Sequence, residues 1–246
     1  IVYCTATSAL LAPRPGAVRF DAEHAANRPG RHGIWQRGRE KGVLAGAPLL
    51  IPMSDDALFE ASLEGEAVVI PVPVEPSGSP VERDIAAITY ASDPVKKGLP
   101  RVLEAWAQAR RGDEELVVVT DKEVPAQPGV RVEDVRGDAF RALVRRARVY
   151  VVAPRREDYG ITQLEALADG CMLVTTEGEG PYVAREIAHQ LDQRLVGDDL
   201  AFAIRAALDA PEPGYAEHAR ELLRPFAPAA VDAAVANELL PRLLPA

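Results

Sequence analysis

Short, uninterrupted apolar runs alternate along this chain with longer stretches whose apolar residues recur at helical spacing. That alternation is the signature of β-α-β units wrapped around a parallel sheet. Val149–Ala153 carries no charged residue, as a strand should when helices cover both faces of its sheet. Leu99, Val102, Leu103 and Trp106 stand at i, i+3, i+4 and i+7, which is one face of a helix, and Pro100 suits its first turn. In the first part, the pattern predicts strands at Ile1–Cys4, Ala17–Phe20, Pro48–Pro52 and Ala67–Val72, with helices over Gly33–Leu44 and Asp55–Leu63. In the second part it predicts strands at Ile85–Tyr90, Glu115–Thr120, Val130–Val132, Val149–Ala153 and Met172–Thr175. Helices are expected over Leu99–Arg110, Ala139–Arg146, Gly160–Ala168, Tyr182–Ala188, Leu200–Leu208, Tyr215–Leu223 and Ala229–Leu244.

Between the two parts runs Pro71-Val72-Pro73-Val74-Glu75-Pro76-Ser77-Gly78-Ser79-Pro80. Proline removes ladder donors, so this stretch reads as a linker. The expected division is 1–80 and 81–246. Residues 82–210 read as a complete doubly wound domain. The first part lacks a Gly-rich opening turn and reads as the second half of a Rossmann-like domain, incomplete or truncated. The start at Ile1 reads as a strand entered midway, without a signal peptide.

Composition narrows the function. The net charge of −9 argues against a general nucleic-acid binder. No apolar run is long enough to span a membrane. Cys4 and Cys171 each sit in an apolar run, so both are expected as buried thiols in a reducing, cytoplasmic setting. The chain contains no GxxxxGK[ST] phosphate loop, no HExxH, no Asp-x-Asp pair and no GxSxG elbow. A P-loop NTPase is therefore excluded.

The segment Pro154-Arg155-Arg156-Glu157-Asp158-Tyr159-Gly160-Ile161-Thr162-Gln163-Leu164-Glu165 carries the strongest chemical signal. A buried strand ends, a loop holds an acid, and a helix begins at a glycine. Ligands of open α/β sheets bind outside the carboxyl ends of strands. A helix start offers unpaired amides and a positive dipole end, which suits a diphosphate. Glu165 leans back toward the loop, so it and Glu157 can grip different hydroxyls of one ligand. By spacing alone, two solvated acids flanking an ordinary helix fit as well. A second segment, Ala91-Ser92-Asp93-Pro94-Val95-Lys96-Lys97-Gly98, places two lysines before a helix start, where cations are disfavoured unless they have a task.

Glu157 and Glu165, with Tyr159-Gly160 between them and Ala166-Leu167-Ala168-Asp169-Gly170 after, resemble the E-x7-E segment of the retaining family 4 glycosyltransferases. The resemblance implies two facing Rossmann-like domains of the GT-B type with a nucleotide sugar in the cleft. It implies Glu157 and Lys97 as the candidate catalytic pair, Glu157 on the transferred sugar and Lys97 on the donor diphosphate. It implies donor contacts from Tyr159, Gly160, Ile161 and Lys96, and Glu165 on the ribose. Lys122–Arg136 corresponds to the stretch that holds the base. Two positions depart from the family pattern: Ala91 stands near the place of an Arg, and Tyr182 takes the place of a Glu after the Gly-rich loop Thr176–Pro181.

After the strand at Ala17–Phe20, Asp21, His24 and Arg28 are candidates for the acceptor side. The resemblance further implies a C-terminal helix that crosses back onto the first domain. The expected activity is transfer of a hexose from a nucleotide-diphosphate sugar to a hydroxyl, with retention and without a metal. The acceptor would be a carbohydrate, a lipid-linked compound or a small molecule, and peripheral membrane contact is compatible with this. Two other readings fit the same residues: a sugar-nucleotide-binding protein without transfer, and a GT-B-fold sugar phosphorylase or epimerase.

Overall fold

The computed structural model describes residues 1–11, 14–23 and 31–244. The first part builds a parallel three-stranded sheet from β1 (Val2–Tyr3), β2 (Ala17–Phe20) and β3 (Leu50–Pro52), in that order. Helices α1 (Ala6–Leu10), α2 (Ile34–Ala45) and α3 (Asp55–Glu60) connect and follow these strands. One face of the sheet closes over Ala6, Ala9, Leu44, Ala57 and Ala61. The Ser54 hydroxyl caps α3 by accepting the Ala57 N–H, and Asp55 and Asp56 favour its positive end.

The second part is a five-stranded parallel sheet: β4 (Ile85–Tyr90), β5 (Leu116–Val119), β6 (Val130–Glu133), β7 (Ala147–Val151) and β8 (Met172–Val174). Its order is β6-β5-β4-β7-β8. The crossovers include α4 (Leu99–Ala109), α5 (Gly137–Arg146) and α6 (Ile161–Ala168). Then follow α7 (Val183–Leu191), α8 (Leu200–Asp209) and α9 (Tyr215–Leu222). The order reverses between β4 and β7, which pair through Ile85↔Ala147 and Ile88↔Tyr150. The loops after these two strands therefore diverge to opposite faces and leave a crevice between them. Both parts are α/β with parallel sheets, as the apolar pattern predicts.

Three expectations are corrected. Ala67–Val72 forms no full strand: Ala67 makes a single bridge to Leu50, and Val68 and Ile70 donate to Leu50 and Pro52. Pro71 and Pro73 have no N–H to continue the ladder. The tail helix is broken. α10 (Pro228–Ala234) passes into a π turn at Val235–Leu239 and then a short α11 (Leu240–Leu243). Pro241 lacks the N–H that an α turn would need, and the Leu240 N–H bonds instead to Val235 O. Finally, Cys171 is buried but Cys4 is exposed, because β1 ends at Tyr3 and Cys4 lies in the turn before α1.

The tail does cross back. Val231 and Leu239 pack on Ala17, Leu49, Ile51, Val68 and Ile70, the other face of the first sheet. Arg242 pairs with Glu66 at 3.1 Å beside this contact.

Burial pushes the Cys171 thiol up to about 11. In the native protein at pH 8, a thiol reagent should modify one cysteine, Cys4, and two after denaturation. Rapid native modification of both would show that Cys171 is not enclosed.

Candidate functional site

Lys97 and Glu157 meet at the crevice between β4 and β7. Lys97 Nζ lies 2.5 Å from Glu157 Oε2, and both side chains are largely buried. Each is delivered by the loop that follows one strand of the reversal pair. The two loops also touch through their backbones: Ala153 N–H donates to Lys97 O at 3.3 Å. Gly98 makes this approach feasible. Its φ is +68°, and a Cβ there would stand 1.9 Å from Ala153 O. Only glycine fits that gap and that dihedral.

Gly160 opens α6 at φ +91°, with no side-chain cap. A Cβ at Gly160 would press on the Tyr182 ring at 2.8 Å. The first-turn amides of α6 have no intrahelical acceptors, and they sit at the crevice with the positive end of the helix. Ile161, the first helical residue, is exposed. The loop before the helix is stitched to the Gly-rich loop after β8, where Glu157 N–H donates to Glu179 O at 3.0 Å and Glu179 N–H to Arg155 O at 2.8 Å.

The other predicted positions divide. Lys96 is half-exposed, 3.7 Å from Asp158. Tyr159 is buried, and its hydroxyl accepts the Val72 N–H at 3.1 Å, tying the loop to the linker. Glu165 turns to α5, where its Oε1 lies 3.1 Å from Arg141 Nη1. Arg141 also binds Asp169 at 2.8 Å and donates to Glu75 O at 3.0 Å, and Asp169 accepts the Ser77 N–H at 2.7 Å. Glu165 thus ends a network that runs to the linker, whereas Glu157 belongs to the lysine cluster. Tyr150 lies beneath both: burial drives its hydroxyl far above the usual phenol range, and Glu157 and Glu165 add to the effect. Asp21 is exposed at the end of β2, its carboxylate accepting the Ala22 N–H. His24 and Arg28 lie outside the described residues.

Several site residues were not singled out by sequence reasoning. Arg156 makes a bidentate pair with Glu60 of α3, at 2.9 and 2.6 Å, and also reaches Asp158 at 3.2 Å. It joins the Glu157 loop to the first part of the chain. Gln163 is buried and donates to Glu157 at 3.1 Å. A polar residue inside the apolar run of α6 was the one signal available for it. Past the ends of β4, β5 and β6 lies a hollow of about 230 Å³, lined by Tyr90, Ser92, Thr120, Asp121, Asp134 and Arg136 among others. Ala91, the first departure, is buried, and its carbonyl accepts the Thr120 hydroxyl at 2.7 Å. Cationic charge near the crevice comes instead from Lys96, Lys97 and Arg156.

The comparisons agree with this architecture. HepE of Anabaena, solved with UDP and glucose, superposes with a TM-score of 0.75 at 14% identity, over 95% of this chain and 74% of that one. WaaG, a glycosyltransferase involved in lipopolysaccharide biosynthesis, gives 0.67 at 16% identity, over 93% and 78%. A chain of the GtfA/B complex gives 0.65 at 14% identity, and this protein spans 52% of its length. No curated protein matches the chain in sequence.

Gly98→Ala should cost about 1–3 kcal/mol from the left-handed dihedral alone, read as a lowered urea midpoint. A variant as stable as the parent would show that the loop does not need this approach. The model of the family described as glycosyl transferases group 1 matches residues 83–210, the stretch that holds both loops of the crevice, and the chain belongs to that family.

Proposed function

We propose that this chain binds a nucleoside-diphosphate sugar in the crevice and transfers the hexose, with retention, to a hydroxyl acceptor presented from the side of the first sheet. The observation that carries the reading is the Lys97–Glu157 pair at the strand-order reversal, beside the open amides of α6. In this reading the diphosphate lies against Lys97 and the first turn of α6. As the bond to the sugar breaks, negative charge grows on the departing diphosphate. Fixed donors already aimed there stabilise it without reorganising. Glu157 accepts a hydrogen bond from a sugar hydroxyl and sets the ring's orientation. The hollow past β4, β5 and β6 suits the base, with the Tyr90 ring as an apolar wall. Glu165, close behind the helix start, would take the ribose hydroxyls in exchange for part of its contact with Arg141.

The acceptor would enter between α3 and the Gly-rich loop. A hollow of about 410 Å³ lies there, lined by Asp56, Phe59, Glu60, Gly180, Pro181 and Arg185 among others. Asp21 belongs to the same acceptor-side proposal. No helix among the described residues is long and apolar enough to cross a membrane. A cytoplasmic enzyme acting on a carbohydrate, lipid-linked or small-molecule acceptor fits this arrangement. The neutral, buried Ala91 favours one rival, a protein that holds the donor without transfer.

UDP, GDP and ADP, each alone and as a hexose conjugate, should separate these readings. One nucleotide series should raise the melting temperature, by the equivalent of about 2.7 kcal/mol at 100 times Kd. Loss of a charge-assisted contact in Lys97→Met should weaken that ligand roughly 10- to 100-fold. Glu165→Ala should weaken the response to nucleotide, and Glu157→Ala only its sugar-dependent part. Binding without hydrolysis or transfer would favour the non-transferring rival, and no response to any nucleotide would remove the donor-site reading.

A further inference from the structure

Gln163 has no exposed surface, yet both ends of its amide are engaged. The Thr162 hydroxyl donates to Gln163 Oε1 at 2.9 Å, which fixes the amide's orientation. Nε2 therefore faces the other way, donating to Glu157 Oε2 at 3.1 Å and to the Tyr182 hydroxyl at 3.3 Å. A primary amide carries two N–H bonds, so its donors are fully used. Tyr182, equally buried, lies 2.8 Å from the Thr175 hydroxyl. Because the Tyr182 oxygen accepts from Gln163, its own proton is free to go to Thr175. Tyr182 is also the residue that replaces the Glu of the related pattern, so this departure lies in direct contact with the amide that holds Glu157.

The contacts on Glu157 are one-sided. Oε2 receives both Lys97 and Gln163, while Oε1 receives no hydrogen bond from a described residue. An ammonium attracts a carboxylate from many directions, whereas a planar amide imposes one. Lys97 alone would leave the carboxylate free to swing about the charge.

We infer that Gln163 and Tyr182 are positioning residues that clamp Glu157 Oε2, so that Oε1 is the oxygen offered to a hydroxyl of the transferred sugar. The inference rests on the donor-site reading above and deepens it. It assigns sugar recognition to one carboxylate oxygen, and the orientation of that oxygen to a neutral chain that runs from partly exposed Thr162 through buried Gln163 and Tyr182 to Thr175. The side chains of the clamp touch Glu157 and one another, so it should act on the sugar and not on the nucleotide.

The test compares affinities by calorimetry for UDP with UDP-glucose, GDP with GDP-mannose, and ADP with ADP-glucose. For whichever pair binds, the ratio of conjugate affinity to nucleotide affinity isolates the sugar. In Gln163→Met this ratio should fall about ten-fold, the effect of one hydrogen bond to a charged group, with nucleotide affinity unchanged. Tyr182→Phe should lower it in the same direction by a smaller factor. Thr162→Val, at a partly exposed position, should also lower the ratio by freeing the amide to flip, and it decides the matter if Gln163→Met does not fold. An unchanged ratio in Tyr182→Phe and Thr162→Val overturns the clamp. So does a parallel loss of nucleotide and conjugate affinity, which is the mark of a merely structural role. If no pair binds the parent protein, the donor-site reading itself fails, and the clamp fails with it.

Discussion

The Lys97–Glu157 pair exists because two loops from opposite faces of one sheet approach closer than side chains ordinarily permit. Lys97 reaches Glu157 only because the residue after it has no Cβ and adopts a left-handed turn against the end of β7. Strand order sets where the loops part, and Gly98 sets how nearly they touch again. The charge pair is then enclosed enough that neither partner is well served by water. Removing one leaves a poorly solvated charge, which typically costs about 3–5 kcal/mol in a buried pair. The pair therefore bears on stability and on chemistry together, and the helix start at Gly160 is fixed by the same loop.

Around that pair, charges are arranged in a chain that crosses from one sheet to the other. Glu60 holds Arg156, Arg156 reaches Asp158, and Asp158 lies near Lys96. Arg156 directly precedes Glu157, so the backbone that carries the sugar-facing acid in the proposed function is tied to the first sheet's helix α3. The linker is anchored from the other direction, by the Tyr159 hydroxyl on Val72 and by Asp169 on Ser77. Relative motion of the two parts would thus be felt at the loop of Glu157 before it is felt elsewhere in the second sheet.

Much of this frame was legible in the residue pattern. The apolar run at Val149 and the helical spacing from Leu99 to Trp106 place β7 and α4, because burial on a parallel sheet leaves little choice of residue. Glu157 and Gly160 stand out because an acid and a glycine together at a strand-to-helix junction are hard to explain by packing. What the pattern missed depends on contacts between distant segments. Arg156 and Glu60 are 96 positions apart, and nothing local marks either one. Glu165 reads as an acid leaning toward the loop, but the guanidinium of Arg141, on another helix, engages it. The Ala67–Val72 run has strand composition, yet its prolines limit it to a few ladder bonds. Cys4 sits in an apolar run by sequence, but the short β1 ends before it.

The tail has a consequence for how the molecule is made. Ala17, Leu49, Ile51, Val68 and Ile70 are covered by Val231 and Leu239, from a segment much further along the sequence. During synthesis this apolar face emerges well before the residues that cover it. Domains generally fold in the order they leave the ribosome. Here the second sheet can close on its own residues while the first still waits for its lid. Until Val231 and Leu239 emerge, that apolar face stays open to water.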